Sequence, residues 1–144
     1  MLTYAQFLTE ALDQKAAIAK LAHIHKTHRF GYSQYGYIPI AAIFGRKAQY
    51  PPMQGWNDLT VHREKVGGIK LEPVPVDKLI PTQDGVELSG VERFIKLNPN
   101  KWNENEPVRV VNKKGRLYVM DGHHRSAAAI LMGYPTVPAE VMNV

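Results

Sequence analysis

One segment constrains this chain more than any other. Arg116-Leu-Tyr-Val-Met120 has the β-branched and aromatic content of a strand, and Asp121-Gly122-His123-His124-Arg125-Ser126 follows it at once. Ala127-Ala-Ala-Ile-Leu-Met132 then has the composition of a helix, with Gly133 suited to its C′ position. A strand therefore runs through a glycine turn into a helix whose first turns carry small side chains. Upstream, Val108–Val111 and Arg116–Met120 flank Asn112-Lys-Lys-Gly115, a hairpin pattern in which Gly115 is available for positive φ.

The chemistry of that turn follows from its parts. A helix start presents unpaired N–H groups and the positive end of the peptide dipole. Gly122 lacks a side chain that would keep a phosphate off the backbone. Arg125 brings a planar fork of donors, and Ser126 a hydroxyl, so Gly122, Arg125 and Ser126 are the candidate phosphate-binding residues. Asp121, His123 and His124 are the candidate catalytic residues, able to hold or move a proton. Neighbours at a helix start point apart, so one ring is expected to be structural and the other to face the site. Asp121 can equally cap the helix, orient an imidazole or ligate a divalent cation such as Mg2+ or Mn2+.

The remaining chain divides by its grammar. Residues 1–68 form an N-terminal helical and aromatic-rich part. Thr3 and Gln6 can cap a helix whose apolar residues, from Phe7 to Ala22, keep helical spacing to about His23. His23-Ile-His25-Lys-Thr-His28-Arg29 can bind metal or phosphate, but His23 and His25 share a metal only on non-helical backbone; otherwise this is a solvated basic helix end. Seven of the 13 aromatic residues lie in 30–57, beside Arg29, Arg46 and Lys47. They can stack on bases while those cations hold nucleic-acid phosphates, or they can form the core of a small lobe. Residues 38–44 read as a short buried element.

Gly67-Gly68 marks a hinge into a second part, 69–144. Residues 69–80 alternate as a strand that Pro73 and Pro75 confine to an edge or split. A turn at 81–85 leads into a helix to about Leu97, capped by Asp84 with Glu87 and stopped at Asn98-Pro-Asn100. Thr136–Val141 reads as a last strand.

Composition sets the outer limits. The 144 residues suit one compact domain with at most a small extra lobe, and 44% hydrophobic content suits a globular chain. The absence of cysteine excludes disulfides and thiol catalysis. No run is long and apolar enough to cross a membrane, and MLTYAQFLTEA lacks the basic start and apolar centre of a signal peptide, so a cytoplasmic protein without a membrane partner is expected. Eighteen Lys and Arg against 13 acids leave a net charge of +5, which favours phosphate-bearing partners.

With these residues in view, the chain from about 69 to 144 resembles the ParB/sulfiredoxin superfamily, also called the ParB-like nuclease domain. Gly122, Arg125 and Ala128 match its G-x-x-R-x-x-A phosphate motif, and Pro81-x-Gln83 resembles the upstream box that closes the same pocket. The resemblance implies an α+β fold, a small mixed sheet with packed helices, preceded here by the N-terminal helical segment. It implies that the motif loop holds a nucleotide or a nucleic-acid phosphate. Members of the family include CTP-dependent clamps, nucleases, sulfiredoxins and free-serine kinases. The sulfiredoxin cysteine is missing here, there is no room for the extra domains of partition proteins, and Gln83 stands near the position of the kinases' catalytic Glu. A DNA-binding nuclease is the leading expectation. A nucleotide-dependent kinase or hydrolase, and a non-catalytic DNA- or partner-binding module, are the alternatives. Residues 1–68 resemble no family, although their start has the character of a phage or mobile-element protein. Nothing in the sequence specifies an oligomeric state.

Overall fold

The computed structural model describes residues 4–28, 36–50, 68–97 and 107–144, the side chains of 4–13, 68 and 69 excepted. Elements run in the order α1 (Tyr4–Thr27), β1 (Tyr37–Pro39), α2 (Ala41–Phe44), β2 (Gly68–Pro75), a 3-10 turn (Val76–Lys78), β3 (Leu79–Ile80), β4 (Gly85–Glu87), α3 (Leu88–Lys96), β5 (Val108–Lys113), β6 (Arg116–Asp121), α4 (His123–Leu131) and β7 (Thr136–Asn143). The expected cap at Thr3, the cations and aromatics at 29–35, Trp56, the hinge residue Gly67 and the stop at 98–100 lie outside the described residues.

The class is mixed α+β. Five strands form one sheet in the order β2-β7-β5-β6-β3, and β1 pairs with β4 in a two-stranded ribbon. Strands β5 and β6 are the expected antiparallel hairpin, turned by Lys114 and Gly115 with φ of 53° and 84°. Both residues being left-handed matches a turn that follows the strands' own twist. Strand β7 runs parallel to β5, and β3 parallel to β6. The expected strand over 69–80 is split: β2 ends at Pro75, a 3-10 turn intervenes, and β3 lies at the opposite edge of the sheet. The prolines are the reason, because neither Pro73 nor Pro75 has an N–H to donate, and β2 is accordingly an edge strand.

One face of the sheet packs on α4. Val108, Val110, Val119, Val137, Ala139 and Val141 meet Ala127, Ala128 and Ala129 in a single buried cluster. The alanines make that approach close, since no side chain beyond Cβ holds the helix off the strands. Adjacent positions on the same strands, Val111, Tyr118 and Met142, are also buried, on the other face. The core extends across residue 68, because Ala17 and Leu21 of α1, Ile38 of β1 and Ile43 of α2 belong to the same cluster.

Helix ends account for two differences from the sequence reading. Helix α1 continues to Thr27 rather than stopping near His23, with His25 and Lys26 in its last turn, where cations suit the dipole. Helix α3 begins at Leu88 after Glu87, which makes no side-chain cap, so the expected Asp84/Glu87 capping does not form. The reason is that residues 85–87 are committed to β4, where Tyr37 faces Glu87, and the Asp84 carbonyl accepts the N–H of Ile40 at 2.7 Å. Helix α4 closes as expected. Gly133 has φ 78°, its N–H reaches Ile130 at 3.1 Å, and Tyr134 N–H reaches Ala129 at 3.0 Å, the paired bonds of a Schellman end.

Candidate functional site

The site is assembled where β6 hands over to α4. Gly122 caps α4 with φ 102° and ψ 27°, a conformation that favours glycine, and no side chain caps the helix start. A Cβ at Gly122 would lie 3.0 Å from Val108 Cγ2 and 3.1 Å from Val108 Cα. The missing side chain therefore lets the turn sit against β5. Asp121 before it is exposed, whereas Arg125 and Ser126 after it are buried.

The two histidines do the same kind of work in two directions. His123 is 4% exposed, and its Nε2 accepts the backbone N–H of Thr82 at 3.0 Å. The Thr82 hydroxyl is turned to the carbonyl of Val119, to which it donates at 2.6 Å. The His123 ring also lies 6.4 Å from that of Phe44 of α2, centroid to centroid. His124 is half-buried, and its Nε2 accepts the N–H of Glu87 at 3.1 Å. Both rings thus carry an unprotonated Nε2, which puts the proton of each neutral imidazole on Nδ1. The expectation of one structural and one site-facing ring is not met: each ring holds a backbone amide, and together they clamp α4 to the two ends of residues 82–87.

Electrostatics agree with that geometry. Burial, then the neighbouring His124, lower the pKa of His123 to about 4, with Asp121 opposing. Burial also lowers the pKa of His124, Glu87 raises it, and Arg93 lowers it. Desolvation penalises an imidazolium, and a protonated Nε2 could no longer accept an amide N–H.

Arg125 occupies the first turn of α4 and is 6% exposed. Its guanidinium lies over the ring of Phe94 of α3, 5.4 Å from the centroid, and that of Arg93 lies 5.1 Å from the same centroid. A cation at this end of a helix is at the positive pole of the dipole, where an anion is favoured. Ser126 is fully buried, and its hydroxyl meets no partner among the described residues.

The other expected site residues are distributed more widely. Pro81 is buried, and its carbonyl accepts the N–H of Gln49 at 2.8 Å. Gln83 turns its amide back on Gly85, donating to that carbonyl at 2.9 Å. Arg46 donates to the carbonyl of Asp77 at 2.6 Å, and Lys47 is exposed. Arg29 lies outside the described residues. Helical backbone through Thr27 turns His23 and His25 about 200° apart, which removes the shared-metal arrangement. Among the described residues no three His, Asp or Glu gather as a metal site, and no helix is long and apolar enough to cross a membrane.

Sequence reasoning missed Thr82, Gly90 and Phe94. Gly90 carried a signal, since a glycine inside a helix costs about 1 kcal/mol against alanine and so invites a packing explanation. Here that reason is His124, whose Cδ2 would lie 2.5 Å from a Cβ at Gly90.

The fold and site define a small mixed α+β domain with a glycine-capped helix start and a buried arginine. Neither a protein-family model nor a curated protein sequence matches the chain. Among solved structures, it is similar to sulfiredoxin from Arabidopsis thaliana, with a TM-score of 0.40 and 18% identity, over 52% of this chain and 86% of that one.

Proposed function

We propose that this is a ParB/sulfiredoxin-like domain whose Gly122–Arg125 turn binds the phosphate of a nucleotide or nucleic acid. The observation that carries the reading is Arg125. It is buried and lies in the first turn of α4, whose start no side chain caps. A helix start and a guanidinium both favour an anion, and a phosphate at the turn would be bound by both. The G-x-x-R-x-x-A pattern of Gly122, Arg125 and Ala128 supports the same assignment.

Nuclease activity is the catalytic extension of this reading, and one observation favours it. Asp121 is exposed beside the turn and makes no ion pair among the described residues. Its single carboxylate suits a Mg2+ or Mn2+ ion completed by phosphate oxygens and water. His123 and His124 then serve as positioning residues, because the Nε2 of each already holds a backbone amide.

Amide NMR titration tests the binding claim. Pyrophosphate, ADP, ATP, CTP and a short DNA duplex are added in turn. At least one should shift the amides of residues 122–125, and Arg125→Gln should abolish the shift. If none moves them, the reading is wrong. Plasmid cleavage with Mg2+ or Mn2+, lost in Asp121→Asn, tests the nuclease extension separately.

A further inference from the structure

We propose that the solvent face of α1 is a second, sequence-independent docking surface for the backbone of duplex nucleic acid. The surface is built by helical periodicity. From Gln14 to Thr27 the helix carries Lys15, Lys20, Lys26, His23 and His25, and no acid. Its apolar residues point inward: Ala17 and Leu21 are buried, and Ile18 and Ile24 pack against the core. Lys15, Lys20, His23 and Lys26 are all exposed, with Ala16, Ala19 and Ala22 between them. None of the three lysines forms an ion pair among the described residues, and Glu92 of the neighbouring α3 is engaged by Lys96 of its own helix at 3.3 Å. The cations extend along about 16 Å of helix: Lys15 and Lys26 lie at nearly the same azimuth and Lys20 about 120–140° round from them, with Ala16, Ala19 and His23 in the arc between.

The character of the face selects the partner. A helix lying on an anionic membrane needs large apolar side chains to bury in the lipid, and among the described side chains of α1, from Gln14 onward, every exposed apolar position is alanine. A protein interface draws its energy from buried aromatic and aliphatic anchors, and the described part of the face, from Gln14 onward, exposes none. Single strands are held by stacking on aromatic rings, and the helix from Gln14 to Thr27 has no Phe, Tyr or Trp. What is left is an arc of small residues with exposed cations at its two edges, so that a rod of regularly spaced negative charge can come close between them. Duplex nucleic acid is such a rod, and lysine contacts to its phosphates release counterions. The surface is independent of Arg125, so either assignment can fail alone.

The test is salt-dependent binding of a mixed-sequence DNA duplex to the full chain, read by fluorescence anisotropy. The wild type is compared with K15Q/K20Q/K26Q and with a charge-matched control, K70Q/K78Q/K114Q, which alters exposed lysines elsewhere. Circular dichroism checks that each variant is folded. Loss of three phosphate contacts should lower the slope of log K against log salt by about 2.7, while the control keeps a slope close to wild type. Between 50 and 200 mM salt the wild type should therefore lose about 40-fold more affinity than the α1 variant. The difference in slope between wild type and the α1 variant should persist when both also carry Arg125→Gln. Equal slopes in wild type and α1 variant, an equal loss in the control, or no duplex binding by the wild type at 50 mM salt would each overturn the proposal. So would binding to phosphatidylserine vesicles that depends on the α1 lysines while duplex binding does not.

Discussion

Gly90 of α3 leaves the space in which the imidazole of His124 of α4 lies: a Cβ there would come within 2.5 Å of Cδ2 and 3.0 Å of Nε2. The ring cannot simply move aside, because its Nε2 holds the N–H of Glu87. In Gly90→Ala, overpacking costs about 1–3 kcal/mol, against a gain of about 1 kcal/mol from better helix propensity. The substitution should destabilise the wild type. In a His124→Ala background the clash is gone, and the same substitution should stabilise. Urea unfolding of the four proteins gives the cycle, and an effect of the same sign in both backgrounds would refute the contact.

His123 predicts an acid-sensitive fold. Its folded pKa of about 4 lies below the ordinary value of 6.5, so between those values the unfolded chain binds more protons. Stability contributed by the neutral ring is then complete above 6.5 and is lost as pH falls towards 4. The full effect is about 3 kcal/mol. His123→Gln offers an acceptor to Thr82 without titrating. Urea midpoints from pH 7.5 to 4 should fall less steeply for His123→Gln than for wild type, and parallel curves would contradict the assignment.

Where the sequence was most legible, local rules and tertiary packing agreed. Gly115, the alternating residues of β5 and β6, the alanine run of α4 and Gly133 each specify their own backbone, and each stands where periodicity and turn chemistry put it. Pro73 and Pro75 spoke correctly against a central strand, but not to where the chain would resume as β3. Strands β1 and β4 have three residues each and are defined only by facing one another, which no window along the chain can reveal. The site divides the same way. The turn at Gly122 was visible as a glycine before a helix. The partners of His123 and His124 are backbone amides 41 and 37 residues away, and a backbone amide has no signature in a sequence.

Thr82 joins that clamp to the sheet, and its hydroxyl should matter more than its volume. The bond from Oγ1 to the Val119 carbonyl is buried and 2.6 Å long. Thr82→Val keeps the shape and removes the donor, leaving the carbonyl without this partner at a cost of about 1–3 kcal/mol. Thr82→Ser keeps the donor and loses one methyl, worth about 0.8 kcal/mol. Chemical denaturation should therefore rank wild type above Ser and Ser above Val. A valine variant as stable as the serine one would mean that the hydroxyl is not holding β6.

Gly122 and Gly115 both have positive φ, yet they should respond unequally to alanine. At Gly115 a Cβ would meet nothing within 4 Å, so Gly115→Ala carries only the backbone penalty of φ 84°. That penalty is about 1–3 kcal/mol. At Gly122 a comparable penalty at φ 102° is joined by contacts of 3.0 Å to Val108 Cγ2 and 3.1 Å to Val108 Cα. Trimming Val108 to alanine removes the first contact but not the second, because the second is backbone. Val108→Ala should therefore fail to rescue Gly122→Ala. The strand and helix must separate to admit the methyl group, which moves the start of α4 away from β5. Hydrogen exchange should report faster opening at the start of α4 in Gly122→Ala and little change there in Gly115→Ala. Equal protection of α4 in the two variants would show that β5 does not determine the position of the turn.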